Sequence, residues 1–164
     1  MLIAEDHEAM LKQIENLIRP VFAVVASTID GPSALVAAER CNADVAVLDI
    51  TMPGMNGFEV ARELRSRGSS PGVVFLSIHD DPDYRQRAVD SGALGYVSKP
   101  RMTQDLINAI AHAAAGRRYF PGPTGSELHK IRVILADDHQ AMLDCAAQLL
   151  RAECQVVGTA ADGN

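Results

Sequence analysis

Short apolar runs alternate with amphipathic segments over most of the chain. The apolar runs are nearly continuous, which is typical of strands buried on both faces of a parallel sheet. The segments between them place apolar residues three or four positions apart, which predicts helices with one buried face. The predicted strands are residues 2–5, 22–27, 45–49, 73–77 and 95–98, and the predicted helices are residues 7–19, 32–42, 58–67, 82–91 and 103–115.

Turn-forming and capping residues agree with these boundaries. Pro20 ends the first helix, and Gly68 and Gly92 end the third and fourth, because glycine accepts a left-handed backbone. Thr103 is expected to cap the fifth helix with its hydroxyl. Five strands that alternate with five helices predict an α/β fold, a doubly wound five-stranded parallel sheet with right-handed crossovers. The fifth helix is expected to face inward with Leu106, Ile107, Ile110, Ala111 and Ala114.

Four of the predicted strands end on a charged or reactive group. These groups are the acid pair Glu5-Asp6, the carboxyl of Asp49, the hydroxyl of Ser77 and the ammonium of Lys99. The carboxyl ends of parallel strands meet at one edge of the sheet, where ligands bind in such folds. An ionised carboxylate needs no general base to act as a nucleophile, so Asp49 is the candidate acceptor of a phosphoryl group. Ser77 and Lys99 are the candidates for contacting the phosphoryl oxygens.

Three carboxylates in one pocket require a cation or a proton to relieve their repulsion. Ligands that are all oxygen atoms favour a hard ion, and Mg²⁺ needs only one or two direct carboxylates. We expect Asp49 and Asp6 to be direct ligands, Glu5 to act through water, and the backbone carbonyl of Thr51 to add a neutral oxygen.

The beginning of the chain recurs near its end. Residues 2–31 and 134–163 are identical at 12 of 30 positions without a gap, which indicates an internal repeat. Before the repeat, residues 121–130 are rich in proline and glycine and are interpreted as a linker. The expected organisation is one domain at 1–120, the linker, and an incomplete strand-helix-strand repeat at 131–164.

Composition excludes several classes of protein. The chain of 164 residues is 48% hydrophobic and has a net charge of -6, with no stripe of basic residues, so direct nucleic-acid binding is not expected. No apolar run reaches the roughly 20 residues of a membrane span, and no secretory signal precedes the first strand. Three cysteines without metal-ligand spacing favour reduced thiols and a cytoplasmic location.

Together the strand-end motifs resemble the receiver domain of two-component response regulators. The resemblance rests on Glu5-Asp6, on Asp49 within LDITMPGMNG, on Ser77 and on YVSKP at residues 96–100, and it covers residues 1 to about 120 before resuming in 131–164. It implies a flavodoxin-like receiver fold and transfer of a phosphoryl group to Asp49 from a sensor histidine kinase or a phosphotransfer protein, with Mg²⁺ required. The phrases GALGYVSKP and AIAHAAAGRRYFPGP are most similar to receivers that precede a helix-turn-helix DNA-binding domain.

The resemblance also implies a switch. Ser77 is expected to move toward the phosphate and Tyr96 to turn inward, which remodels the face formed by the fourth helix, fifth strand and fifth helix. Such a protein catalyses its own phosphorylation and dephosphorylation, although it is primarily a signalling switch.

Two other functions compete with this interpretation. Haloacid-dehalogenase-like phosphatases also form an aspartyl-phosphate, but they carry a second aspartate two positions after the nucleophile, where this chain has Thr51. A phosphate-independent protein-interaction module is the remaining alternative, and the presence of Asp49, Ser77 and Lys99 together argues against it.

Two further expectations concern the backbone and the repeat. The bond between Lys99 and Pro100 is expected to be cis, since an X-Pro bond has only a small trans preference and a cis bond turns the chain sharply. The repeat 131–164 has an acid pair at Asp137-Asp138 but no counterpart of Asp49, so it cannot accept phosphate. It buries too little surface to fold firmly alone, and we expect it to dock on the first domain, to exchange with a second chain, or to fray, with homodimer formation through exposed edges as a liability.

Overall fold

The computed structural model describes residues 1–68 and 71–122, together with the backbone of residues 131–136 and 154–160. Contacts divide the chain into two units, Met1–Pro123 and Thr124–Asn164. No helix among the described residues is long and apolar enough to cross a bilayer.

The first unit is built on a five-stranded parallel sheet. Its order is β2-β1-β3-β4-β5, with helices on both faces, as the alternation of apolar runs and amphipathic segments predicts. The strands are β1 (Leu2–Ala4), β2 (Ala26–Thr28), β3 (Val45–Asp49), β4 (Gly72–Ser77) and β5 (Gly95–Ser98). The helices are α1 (Glu8–Ile18), α2 (Gly31–Cys41), α3 (Gly57–Ser66), α4 (Pro82–Asp90) and α5 (Met102–Ala114), with a short 3-10 helix at Lys99–Arg101 before α5.

Two hydrophobic layers hold the sheet between the helices. Successive residues of β1 face opposite sides, so Leu2 packs into the layer beneath α2 and α3 while Ile3 packs into the layer beneath α1 and α5. The same alternation runs through β3, where all five residues are buried. The sheet is therefore covered on both faces, and only its carboxyl edge is left to carry polar groups at the ends of β1, β3, β4 and β5.

Strand β2 is shorter than the sequence predicts and begins later, at Ala26 instead of residue 22. It lies at the edge of the sheet and pairs only with β1, which has three residues. In the irregular segment before it, Phe22 and Val24 pack on the core while Val21 and Val25 are exposed. Met1 still contacts this segment, since the Val25 N–H donates to the Met1 carbonyl at 2.9 Å and the Met1 amino group donates to the Ala23 carbonyl at 2.8 Å, but the regular register with β1 begins only at Ala26.

The start of α5 corrects two predictions. Thr103 does not cap the helix, because Lys99–Arg101 already form a 3-10 turn that leads directly into α5, and no side chain caps this end. The Lys99–Pro100 bond is trans, since no cis bond occurs among the described residues. Pro100 occupies the first turn of the 3-10 helix, where its fixed φ suits the backbone and its missing N–H is not needed.

The buried face of α5 is rotated by about one position from the predicted one. Leu106 and Ile110 are buried as expected, but Ala111 and Ala114 are exposed. Alanines occur on both sides of this helix, so the apolar pattern alone did not determine which side packs on the sheet. The buried residues are Met102, Asp105, Leu106, Ala109, Ile110 and Ala113.

The second unit contains a parallel pair of strands, β6 (Ile131–Ala136) and β7 (Cys154–Ala160). Ile134 pairs with Gly158, and Leu2 pairs with Ala26 in the first unit, so both partners are displaced by the same 132 positions (134 − 2 and 158 − 26). This register is the one that the proposed repeat requires. The predicted helix of the repeat, its acid pair and its docking or dimerisation concern residues outside those described.

Candidate functional site

Three carboxyl groups converge at the carboxyl edge of the sheet. Glu5 and Asp6 directly follow β1, Asp49 ends β3, and the two strands are hydrogen-bonded neighbours. One carboxylate oxygen from each residue lies within 4.8 Å of the others. Glu5 is only 1% exposed and Asp49 5%, whereas Asp6 is exposed to solvent. The pocket thus has a buried acidic floor and an accessible acidic side.

Lys99 enters this pocket from the end of β5. Its Nζ lies 2.9 Å from Oε1 of Glu5, 2.8 Å from Oε2 of Glu5 and 3.1 Å from Oδ2 of Asp49. Burial raises the pKa of Glu5, against the lowering effect of Lys99, and the neighbouring charge of Asp49 raises it further. Burial acts to lower the pKa of Lys99, but its hydrogen bond to Glu5 and the charge of Asp49 outweigh this effect, so its pKa is raised.

The donor set fits a hard divalent cation. Oε2 of Glu5 is buried and lacks a partner in hydrogen-bond geometry, even though the Lys99 ammonium lies close to it. Among the described residues, the clustered acids contribute only oxygen atoms, and the one ammonium beside them, that of Lys99, contacts two of the three carboxyl groups, Glu5 and Asp49. This excess of acid is the arrangement that Mg²⁺ relieves. Thr51 lies two residues after Asp49 and is exposed in the loop between β3 and α3.

A close backbone contact fixes the loop that follows Asp49. A Cβ atom built on Gly57 would lie 2.2 Å from the carbonyl oxygen of Asp49, so only glycine fits at the start of α3. Asn56 caps α3, and Glu59 reaches back to the backbone N–H of Asn56, which completes a capping box. The loop after Asp49 is therefore fixed by the close packing of Gly57 against the Asp49 carbonyl and by the capping box at the start of α3.

Ser77 and Tyr96 meet around the backbone of His79. The hydroxyl of Ser77 accepts a hydrogen bond from the His79 N–H at 3.1 Å, and the Tyr96 hydroxyl donates to the His79 carbonyl at 2.7 Å. The Tyr96 ring is completely buried, and burial raises the pKa of its hydroxyl, while a hydrogen bond with Ser77 acts in the opposite direction. The two predicted switch residues thus bind the two peptide groups on either side of His79.

Comparison with known families decides what this arrangement is. The family profile described as "Response regulator receiver domain" matches residues 1–111. The chain belongs to this family of receiver domains. The family and its fold confirm the resemblance inferred from the motifs at the strand ends.

Relatives of this receiver include complete transcriptional regulators. The transcriptional regulatory protein DegU of Brevibacillus brevis is 32% identical over 99% of this chain and 75% of its own length. The DNA-binding transcriptional activator EvgA of Escherichia coli K12 is 34% identical over 73% of this chain, and the match spans only 59% of EvgA. A solved DNA-binding response regulator of the LuxR family from Staphylococcus aureus has a TM-score of 0.65 and 32% identity, covering 69% of this chain and 96% of that one.

The receiver structure brings together Glu5, Asp6, Asp49 and Lys99, and places Ser77 beside Tyr96. Sequence reasoning did not identify three further polar residues. His79 binds Ser77 and Tyr96 through its backbone, which no residue-type pattern can reveal, while its ring stacks on Tyr84. Arg85 on α4 and Asp105 on α5 occupy positions that sequence periodicity assigns to solvent, yet Asp105 is 5% exposed. The buried acid could have been suspected from the basic Arg101 one helical turn before it.

Proposed function

We propose that this receiver accepts a phosphoryl group on Asp49 in a two-component phosphorelay. The observation that carries the proposal is the buried Asp49 carboxylate, set between two further acids and in contact with the Lys99 ammonium at 3.1 Å. A carboxylate held in this way is a nucleophile with a counter-charge already beside it.

A carboxylate oxygen of Asp49 attacks the phosphorus atom of the donor. The bond from phosphorus to the donor, a phosphohistidine nitrogen or the carboxylate oxygen of acetyl phosphate, breaks as the new P–O bond forms, and the electron pair leaves with the donor. Lys99 keeps its ammonium beside Asp49, where charge on the phosphoryl oxygens builds up, and its raised pKa keeps it protonated. Ser77, at the end of the neighbouring strand β4, donates its hydroxyl to a phosphoryl oxygen.

Mg²⁺ would be held by Asp6 and Asp49 directly, by Glu5 through water, and by the backbone carbonyl of Thr51. When bound, the ion neutralises charge on the phosphoryl oxygens and relieves the repulsion among the three acids. Glu5 keeps Lys99 oriented toward Asp49 through its hydrogen bond to the ammonium.

The proposed output surface is the face formed by α4, β5 and α5. Tyr96 lies on β5 and is joined to Ser77 through the backbone N–H and carbonyl of His79, so movement of Ser77 toward a phosphoryl group acts on this face. The proposed partners are a cytoplasmic sensor histidine kinase or phosphotransfer protein. DNA binding is a property of relatives such as EvgA, and we propose protein contacts, not direct nucleic-acid binding, for this chain.

Intact-mass measurement with acetyl phosphate tests the proposal. We expect the full chain to gain the mass of one phosphoryl group when Mg²⁺ is present, and to gain none when a chelator removes it. Asp49→Asn should abolish the gain. Asp44→Asn, which changes an exposed acid just before β3, is the matched control and should gain the same mass as the unmodified chain.

No added mass in the unmodified chain would contradict the proposal and favour a phosphate-independent interaction module. Mass retained in Asp49→Asn would show that another residue is the acceptor.

A further inference from the structure

The chain after α5 returns to the edge of the sheet and forms an isolated β-bridge there. Residues 119–121, here called the strap, run along the outer edge of β5, and Tyr119 forms a parallel bridge with Gly95. The Tyr119 N–H donates to the Leu94 carbonyl at 2.7 Å, and the Tyr96 N–H donates to the Tyr119 carbonyl at 3.2 Å. The strap therefore satisfies edge groups of β5 that would otherwise be open to another chain.

Side chains of the strap alternate between the two layers of the core. Tyr119 packs against the layer beneath α1 and α5, and Phe120 packs against the opposite layer. The Tyr119 hydroxyl also donates to Oδ1 of Asp105 at 3.1 Å. These contacts make the strap an integral part of the sheet edge and place it on the surface between α4 and α5.

Arg85 connects the strap to the loop between β4 and α4. Its guanidinium donates to the Pro121 carbonyl and forms an ion pair with Asp80, with Nε 3.1 Å from Oδ1. The same guanidinium lies over the Tyr96 ring, 5.1 Å from its centroid. The arginine side chain is only 13% exposed, so water competes weakly for these bonds.

These contacts form a continuous series from the pocket edge to the strap. Ser77 binds the backbone N–H of His79 and Tyr96 binds its carbonyl. Asp80 is the next residue, and it forms an ion pair with Arg85. Loss of the Tyr96 hydroxyl bond frees the loop that positions Asp80, and Asp80 in turn contacts Arg85, which holds the strap.

We propose that residues 119–121 occupy part of the α4–β5–α5 face as an intramolecular docked segment, that Arg85 holds them there, and that Tyr96 sets the strength of this hold. The surface proposed for output is thus partly covered by the chain's own segment, and an external partner must compete with it. This inference rests on the contacts of Arg85 and Tyr96 and does not require Asp49 to be phosphorylated.

Amide hydrogen exchange on the full chain tests the proposal directly. The amides of Tyr119 and Tyr96 report the strap, and amides of β3 report global unfolding. We expect Arg85→Gln to lower protection of the two strap amides about tenfold, the value of one charge-assisted hydrogen bond, while β3 amides keep theirs. Arg87→Gln removes the same charge from the same helix, where the guanidinium contacts Phe58 and Tyr84 instead, and should leave strap protection unchanged.

A double-mutant cycle tests the role of Tyr96. We expect Tyr96→Phe, which removes only the hydroxyl, to lower strap protection in the unmodified chain but to add less than about a twofold effect to Arg85→Gln. Equal protection of the strap amides in Arg85→Gln and Arg87→Gln would overturn the proposal that Arg85 holds the strap. Additive effects of Tyr96→Phe and Arg85→Gln, or no effect of Tyr96→Phe, would overturn the connection to the switch residue.

Discussion

Among the described residues of this receiver, the pocket and the start of α5 each carry a buried ionic cluster, and the charges of these clusters balance differently. In the pocket, Glu5 and Asp49 share the ammonium of Lys99, and Asp6 adds a third carboxyl group whose oxygen lies within 4.8 Å of the other two acids. On α5, the buried carboxylate of Asp105 has one guanidinium, Arg101 with Nε at 2.7 Å, and one phenol, Tyr119 at 3.1 Å.

The difference separates a functional site from a structural one. The α5 cluster has as many positive as negative groups, and both oxygens of Asp105 have partners, so it stabilises the fold as it stands. The pocket has excess acid, and a buried oxygen of Glu5 lacks a hydrogen bond. Such an arrangement costs stability and persists where a cation or a phosphoryl group completes it.

Removal of the shared ammonium should have the largest effect. Lys99→Met leaves buried Glu5 without its positive partner, and we expect the free energy of unfolding to fall by about 3 kcal/mol, as when one member of a buried pair is removed. Urea denaturation of the full chain measures this loss. Lys12→Met on the exposed side of α1 is the control, and an equal loss in both variants would show that Lys99 has no special role in stability.

Removal of charge from the balanced cluster should be smaller but still unfavourable. Asp105→Asn cannot accept charge-assisted bonds from both Arg101 and Tyr119, so we expect a loss of about 2 kcal/mol in urea. Asp44→Asn, at an exposed position, should change the free energy little. Unaltered stability of Asp105→Asn would break the comparison, because the cluster would then contribute nothing to the fold.

The same acid-to-amide change in the pocket should have the opposite sign. Asp49→Asn relieves repulsion among three acids, and we expect a gain of about 1 kcal/mol in unfolding free energy without divalent ions. Saturating Mg²⁺, at about a hundred times its dissociation constant, should stabilise the unmodified chain by about 2.7 kcal/mol and the variant far less. Destabilisation of Asp49→Asn in the absence of Mg²⁺ would show that repulsion among the three carboxylates does not destabilise the pocket.

The smallest expected loss of stability distinguishes the contribution of the Tyr119 phenol from that of the Arg101–Asp105 ion pair. Tyr119→Phe removes one neutral donor to Asp105 while Arg101 remains, so we expect a loss of about 1 kcal/mol. The melting temperature of the full chain measures it. A loss as large as that of Asp105→Asn would assign the stability of the cluster to the phenol instead of the ion pair.

Much of the architecture was predictable because buried parallel strands leave a strong local signal. All five strands of the first unit were located, and the groups that end β1, β3 and β5 do meet at one edge. The errors occur where local sequence competes with tertiary contacts. The length of β2 depends on how far β1 extends beside it, and the first turn of α5 is determined by the 3-10 helix before it.

The pocket was more predictable than the surface beside it. Glu5, Asp49 and Lys99 are residue types whose charge indicates a reactive or ion-binding role. The topology of a parallel sheet brings the ends of their strands together, so their proximity could be predicted. Arg85 and Asp105 are ordinary helix-surface residue types, and their partners Pro121 and Tyr119 lie in a segment without periodicity. The strap pairs with the edge of β5 through backbone hydrogen bonds, and residue types alone do not predict such bonds.

Calorimetric titration of Mg²⁺ into the full chain tests most directly whether unbalanced charge marks the site. We predict that one ion binds per chain, that Asp49→Asn abolishes this binding, and that Asp105→Asn, which alters the balanced cluster, retains it. Absence of binding to the unmodified chain, or equal binding by Asp49→Asn, would contradict the account.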